Sequence, residues 1–200
     1  MNAAAAPPQR VVIAGVAGGV GTTTVAALLF ASFGTLEAPQ LLDHSGGELG
    51  LRLTGGDDVL TVMPALALHD LGPHALTRGI DALEDPRAML LAVTGGTPGG
   101  LAVGGQLLAE VKERFALPGL SRCVVVPVGV FGNRRILTPI DDLMRTYGRR
   151  SVMPLPRDPA LTGGGRIPVN RLSAETRRAQ ARLFDLVTDR LAGNLRPGDH

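Results

Sequence analysis

Residues 11–33 read VVIAGVAGGVGTTTVAALLFASF, a short apolar run, a glycine-rich stretch and a longer apolar run. Gly18, Gly19, Val20 and Gly21 supply a turn that presents successive backbone N–H groups, and a helix starting behind it would aim its free amides at the same point. That is phosphate-binding chemistry. A loop of the form G-x-x-x-x-G-K-[ST] adds a Lys that reaches the β/γ-phosphates and a hydroxyl that holds Mg²⁺. Thr23 stands at the hydroxyl position, but the lysine position is Thr22. Charge-assisted hydrogen bonds are worth roughly 1.5–3 kcal/mol, so their loss weakens triphosphate binding by about 10- to 100-fold. Losing a charge that stabilises the transition state slows turnover further.

No lysine elsewhere compensates. Nineteen of the 20 basic residues are Arg, and the single lysine is Lys112. Asp43 and Asp70 each end an apolar run, and in an open α/β sheet the ligand crevice lies at the carboxyl ends of the strands, which favours a site role for both. Asp70 equally suits a cap of the turn that follows it. The glycines also suit a strand-to-helix turn that binds nothing, and Thr22, Thr23 and Thr24 a plain helix cap. His44, His69 and His74 flank the acids at spacings that match no standard metal set, and read as surface residues. The dinucleotide pattern G-x-G-x-x-G is not met, because three Thr follow Gly21.

Short apolar runs alternate with helical segments, the pattern of a parallel α/β sheet in one domain. Strands are expected over 11–14, 40–42, 65–68, 89–93, 123–128 and 151–153. Helices are expected over 22–33, 101–115 and 139–147, and from Ser173, an N-cap, to about residue 191. The glycine-rich segments 46–58 and 95–105 read as loops or helix entrances. Residues 1–9 are expected to be disordered, residues 10–192 to form the domain and residues 193–200 to be a flexible tail.

Hydrophobic residues make up 44% of the chain and aromatics 3%, with no Trp, so the core must be aliphatic. Cys123 sits in an apolar run and reads as a buried small hydrophobe. No apolar run reaches the ~18 residues that span a bilayer. Residues 1–10 have no basic, apolar leader pattern, and the expected location is cytoplasmic. The net charge of +2 hides an asymmetry: residues 1–100 carry −5 and residues 101–200 carry +7. Eleven Arg and four acids fall between Arg134 and Arg182. Such a surface suits an acidic partner, or is simply solvated.

The string Ala17-Gly18-Gly19-Val20-Gly21-Thr22-Thr23-Thr24 resembles the K-G-G-V-G-K-[ST]-T loop of the ParA/MinD group of P-loop ATPases, with both lysines replaced. Leu41-Leu42-Asp43-His44-Ser45 is similar to the group's second strand and its D-x-D pair, Ser45 standing for the second Asp. Ala67-Leu68-His69-Asp70 looks like its Walker B strand, Val93-Thr94-Gly95-Gly96-Thr97-Pro98 like its V-T-x-P strand end, and Met153-Pro154-Leu155-Pro156-Arg157-Asp158-Pro159 like its I-P-x-D-P segment beside the base. The Asn that often ends the group's preceding strand is missing near Pro127 and Val128.

The resemblance covers roughly residues 10–192. It implies a three-layer P-loop NTPase-like fold and a nucleotide site formed by residues 17–24 with Pro154 and Asp158. Thr23, Asp43 and Asp70 are then the Mg²⁺ ligands for any bound ATP or ADP. It also implies a pseudo-ATPase or weak nucleotide binder acting as a regulatory or assembly partner. The alternatives are an atypical ATPase rescued by an Arg, with Arg134 or Arg135 first in line, and a purely structural interaction module. A protein partner or homodimer, and nonspecific DNA along the region from Arg134 to Arg182, are the expected macromolecular contacts. Arg149, Arg150, Arg177 and Arg178 are the residues to test. The segment 192–200 is too short and too broken by Gly and Pro for membrane insertion.

Overall fold

The computed structural model describes residues 8–33, 38–46, 48–53, 62–130 and 134–194. The expectations for residues 1–7 and 195–200 lie outside these. Six parallel strands form one sheet: β1 (Gln9–Gly15), β2 (Ala38–Asp43), β3 (Val62–Asp70), β4 (Ala88–Gly95), β5 (Cys123–Val130) and β6 (Leu155–Pro156). Their order is β2-β3-β1-β4-β5-β6, so β1 is central. The helices are α1 (Thr22–Ser32), α2 (Glu48–Arg52), α3 (Pro98–Ser121), α4 (Arg134–Tyr147) and α5 (Ala174–Asn194).

The apolar runs are unbroken because the central strands are buried on both faces. Val11 and Ile13 of β1 join Met89, Leu91 and Val93 of β4 in a core shared with α1 and α5. Val12 and Ala14 join Leu90 and Ala92 in a second core, shared with α3 and α4. Alternate residues of each strand thus feed alternate layers, which makes the three-layer architecture. Helix α1 buries Val25, Ala26, Ala27, Leu28 and Leu29 together, as a helix wedged between sheet and α5 must. Truncating Leu28 to Ala would cost about 2–5 kcal/mol. Cys123 is fully buried, and burial pushes its thiol up to about 12.

Segment 46–58, read as a loop or helix entrance, carries α2, and residues 47 and 54–58 lie outside the described residues. Three boundaries depart from the sequence reading. Helix α4 begins at Arg134 rather than Pro139. Helix α3 runs past Phe115, but its backbone breaks at Ala116 (φ 52°, ψ −149°), two residues before Pro118. The expected last strand over 151–153 is a single bridge, Val125 to Val152, and the strand proper is Leu155–Pro156. Among the described residues no helix is long and apolar enough to cross a membrane.

Candidate phosphate-loop site

Strands β1 and β4 are neighbours, yet their following helices α1 and α3 pack into opposite cores. A crevice must therefore open beyond their carboxyl ends. The turn of residues 16–21 crosses it. The turn is anchored at its start, where the Gly15 N–H donates to Gly72 O (2.8 Å) and the Val16 N–H to Val93 O (2.9 Å). Gly19 and Gly21 take left-handed φ of 74° and 97°, which only glycine adopts without strain. At the start of α1 no side chain caps the helix and no acid stands in its first turn. Its amides thus face a crevice with positive partial charge.

Residues 17–19 and 21–24, with Ser45, Arg52, Gly72 and Pro73, line a pocket of about 250 Å³. The chain brings together here the expected loop residues other than Val20, and the Ser of the Asp43-His44-Ser45 segment, whereas Asp43 and Asp70 are not part of the lining. Thr22 and Thr24 are buried, while Thr23 is partly open. Parallel register sets Asp43 beside Asp70 across β2 and β3. Asp43 accepts from the Ser45 N–H (2.7 Å), the Ser45 hydroxyl (2.6 Å) and the Leu49 N–H (3.2 Å). It thereby fixes the start of α2.

Asp70 is fully buried. Its Oδ1 accepts from the Gly72 N–H at 2.9 Å, whereas Oδ2 has no partner within hydrogen-bond distance among the described residues. Burial pushes its pKa up; the Gly72 amide and the nearby Thr23 and Ser45 hydroxyls oppose that shift, and the charge of Asp43 reinforces it. An orphaned buried carboxylate oxygen beside a threonine hydroxyl is a hard-donor arrangement that fits Mg²⁺. Among the described residues no group of three or more His, Cys, Asp and Glu could hold a metal. One or two carboxylates with phosphate oxygens are the usual Mg²⁺ setting.

His44 Nε2 and His69 Nδ1 lie 3.1 Å apart, with ring planes 2° apart and centroids at 5.3 Å. The rings are therefore coplanar and edge to edge, joined by one shared proton. Burial, then His44 and Arg10, pushes His69 down to about 4, so it is neutral at pH 7.

Pro154 and Asp158 do not line the pocket. The Asp158 carboxylate accepts from the Ala160 N–H (2.9 Å) and the Ser173 N–H (2.8 Å), tying a turn to the start of α5. Burial raises its pKa, but hydrogen bonds from Thr176, Ser173 and Ala160 outweigh this and hold it at about 2.

Sequence reasoning missed Arg52. Among the described residues it is the one Lys or Arg lining the pocket. Arg135 is exposed and lies outside that lining, and α4 starts at Arg134. A short helical segment after the Asp43-His44-Ser45 stretch was the available signal, but nothing local sets residue 52 against residues 17–24.

No protein-family model matches the sequence, and no curated protein matches it. Solved structures do. The MinC:MinD cell division complex of Aquifex aeolicus aligns with 96% of this chain and 98% of that chain, at a TM-score of 0.60 and 13% identity. The fold is ParA/MinD-like. A ParA family ATPase from Chlorobium tepidum aligns with 94% of this chain and 98% of its own (TM-score 0.55, 16% identity). A plasmid partition protein from Borrelia burgdorferi, bound to AMPPNP, aligns with 94% and 100% (TM-score 0.55, 11% identity). At these identities the likeness establishes the ParA/MinD-like fold and leaves function to the residues.

Proposed function

We propose that this chain is a ParA/MinD-like protein with a degenerate phosphate loop, a weak nucleotide binder and pseudo-ATPase that works as a regulatory or assembly partner. One observation carries the reading. The loop keeps its left-handed glycines, its uncapped helix start and a 250 Å³ pocket, while both lysine positions are Ala17 and Thr22. Phosphate-shaped geometry without the phosphate-neutralising lysines favours binding over turnover.

In this reading the amides of residues 18–24 hold the phosphates. Thr23, Asp43 and Asp70 hold Mg²⁺, which would neutralise phosphate charge. Asp43 does so while bracing Ser45 and α2. Pro154 acts through the backbone of its segment, and Asp158 by holding that segment against α5. A homodimer or a protein partner fits the fold, and the MinD neighbour was solved in a complex with MinC. Nonspecific DNA is the acidic partner that the Arg-rich half would suit.

Isothermal titration of the full chain with ATP, ADP and GTP, with and without Mg²⁺, tests the reading. Weak Mg²⁺-dependent heats with negligible steady-state hydrolysis support it. Sustained turnover at about 1–100 s⁻¹, a usual range for phosphoryl transfer, refutes it.

A further inference from the structure

We infer that Arg52 supplies the positive charge for a polyphosphate in the loop crevice, taking over electrostatically from the lysines that Ala17 and Thr22 replace. The inference rests on reading the crevice as a phosphate site, and it names the group that makes that site affordable for an anion.

Three observations converge on Arg52. It lines the same 250 Å³ pocket as Gly18, Gly21 and Thr23, and among the described residues it is the one Lys or Arg to do so. Its guanidinium is already oriented: Nη1 donates to Gly163 O at 2.8 Å and, more weakly, to Leu161 O at 3.4 Å. The backbone is clamped as well, with the Ile167 N–H donating to Arg52 O at 3.3 Å. Nε and Nη2 have no protein partner among the described residues. A guanidinium carries five N–H donors in a rigid fork, and a fork with one arm on carbonyls keeps the other for a bidentate phosphate contact. Holding the side chain in advance removes much of the ordering cost of binding.

The acids of the site make a cation necessary. Asp43 and Asp70 lie side by side across two strands, and the fully buried Asp70 Oδ2 has no hydrogen-bond partner among the described residues. Neither lines the pocket, but each stands two residues before a residue that does, Ser45 and Gly72, and carboxylates so placed repel a phosphate chain unless a divalent ion and a fixed cation offset them. Asp70 Oδ2, without a partner among the described residues, is suited to the divalent ion. Arg52 is suited to the rest. The route by which Arg52 arrives also begins at these acids: Asp43 accepts from the Leu49 N–H, and α2 carries the chain one turn onward to Arg52.

The test is calorimetric titration of the full chain with inorganic pyrophosphate and, separately, ADP, each with Mg²⁺. The proteins compared are wild type, Arg52→Ala, Arg52→Gln, Arg52→Lys and, as a control on the far layer, Lys112→Ala. Arg52→Ala and Arg52→Gln should weaken pyrophosphate binding by about 10- to 100-fold. Arg52→Lys, which keeps charge without the fork, should fall between, and Lys112→Ala should match wild type. Should Arg52→Ala fail to fold by circular dichroism, the uncharged but similarly sized Gln variant decides. Wild-type affinity in the folded Arg52→Gln protein overturns the role of Arg52 and leaves the weak nucleotide binder standing. Pyrophosphate binding that depends on Arg52, without ADP binding, keeps Arg52 and removes the nucleotide reading. Failure of wild type to bind either ligand overturns both.

Discussion

Thr22 Oγ1 lies over Gly15 so closely that a Cβ on that glycine would sit 2.3 Å from it and 3.0 Å from the Ala17 carbonyl oxygen. The first residue of α1 and the last residue of β1 are thus in contact across the turn. Thr22 is 7% exposed, so its side chain has little room to retreat. Thr22 thus packs the start of α1 against the end of β1.

Gly15→Ala should therefore destabilise the protein by about 1–3 kcal/mol, the usual cost of overpacking. The same change should abolish phosphate binding, because the turn has to open. Urea denaturation measures the first effect and titration the second. An unchanged midpoint would mean that the contact is relieved without cost.

Thr22→Lys restores the missing charge at the start of α1. Nucleotide affinity should rise about 10- to 100-fold if the turn keeps its shape. On the proposed reading hydrolysis should be negligible in wild type, because Thr22 carries no charge and Ser45 cannot do the work of a carboxylate. Affinity that is unmoved in a folded Thr22→Lys protein would show that the loop does not face phosphate.

Asp70→Asn keeps an oxygen for the Gly72 amide and removes a buried charge. The pKa of Asp70 is raised in the folded state, so its ionisation opposes folding as pH rises above the unfolded value. The melting temperature at pH 7 should hold or rise, and the Mg²⁺-dependent part of ligand binding should disappear. A fall in melting temperature together with intact Mg²⁺ dependence would contradict this assignment.

Asp158 has the opposite sign. Its folded pKa is depressed to about 2, so its stabilising effect is complete above the ordinary carboxylate value of 3.8 and is lost as pH falls towards 2. Asp158→Ala should cost about 1–3 kcal/mol at pH 7, because the Ala160 and Ser173 amides lose their acceptor. The gap between wild type and variant should narrow in melts taken from pH 4 down to pH 2. A gap independent of pH would refute the role of the charge.

Binding of long duplex DNA at low salt, if it occurs, should depend on exposed arginines. Arg150 pairs with Asp189 at 2.7 Å and Arg177 donates to Leu172 O, whereas Arg149 and Arg178 are exposed with no partner among the described residues. Arg149→Ala with Arg178→Ala should thus weaken a gel shift more than Arg150→Ala with Arg177→Ala, and rising salt should weaken it steeply. No shift at micromolar protein, or one unchanged by all four substitutions, removes DNA as a partner.

The sequence by itself determined what is local. The runs VVIA, MLLAV and CVVVPV can satisfy both faces of a buried strand, and the glycines of residues 18–21 have few other uses beside a helix start. The missing lysine at Thr22 was likewise plain, because the motif is contiguous. Arg52 was not legible: it stands about thirty residues from the loop, and it reaches the crevice because β2 and β3 pair in the register that lets Asp43 start α2. The partner of Asp158 could not be read either, since its carboxylate accepts from the Ser173 amide, fifteen residues away in the chain. The strand at Leu155–Pro156 rather than at 151–153 was likewise not legible, because it is pairing with Val128 and Val130 of β5 that defines it. In each case pairing between distant segments chose the partner, and local preference carries no information about distance in space.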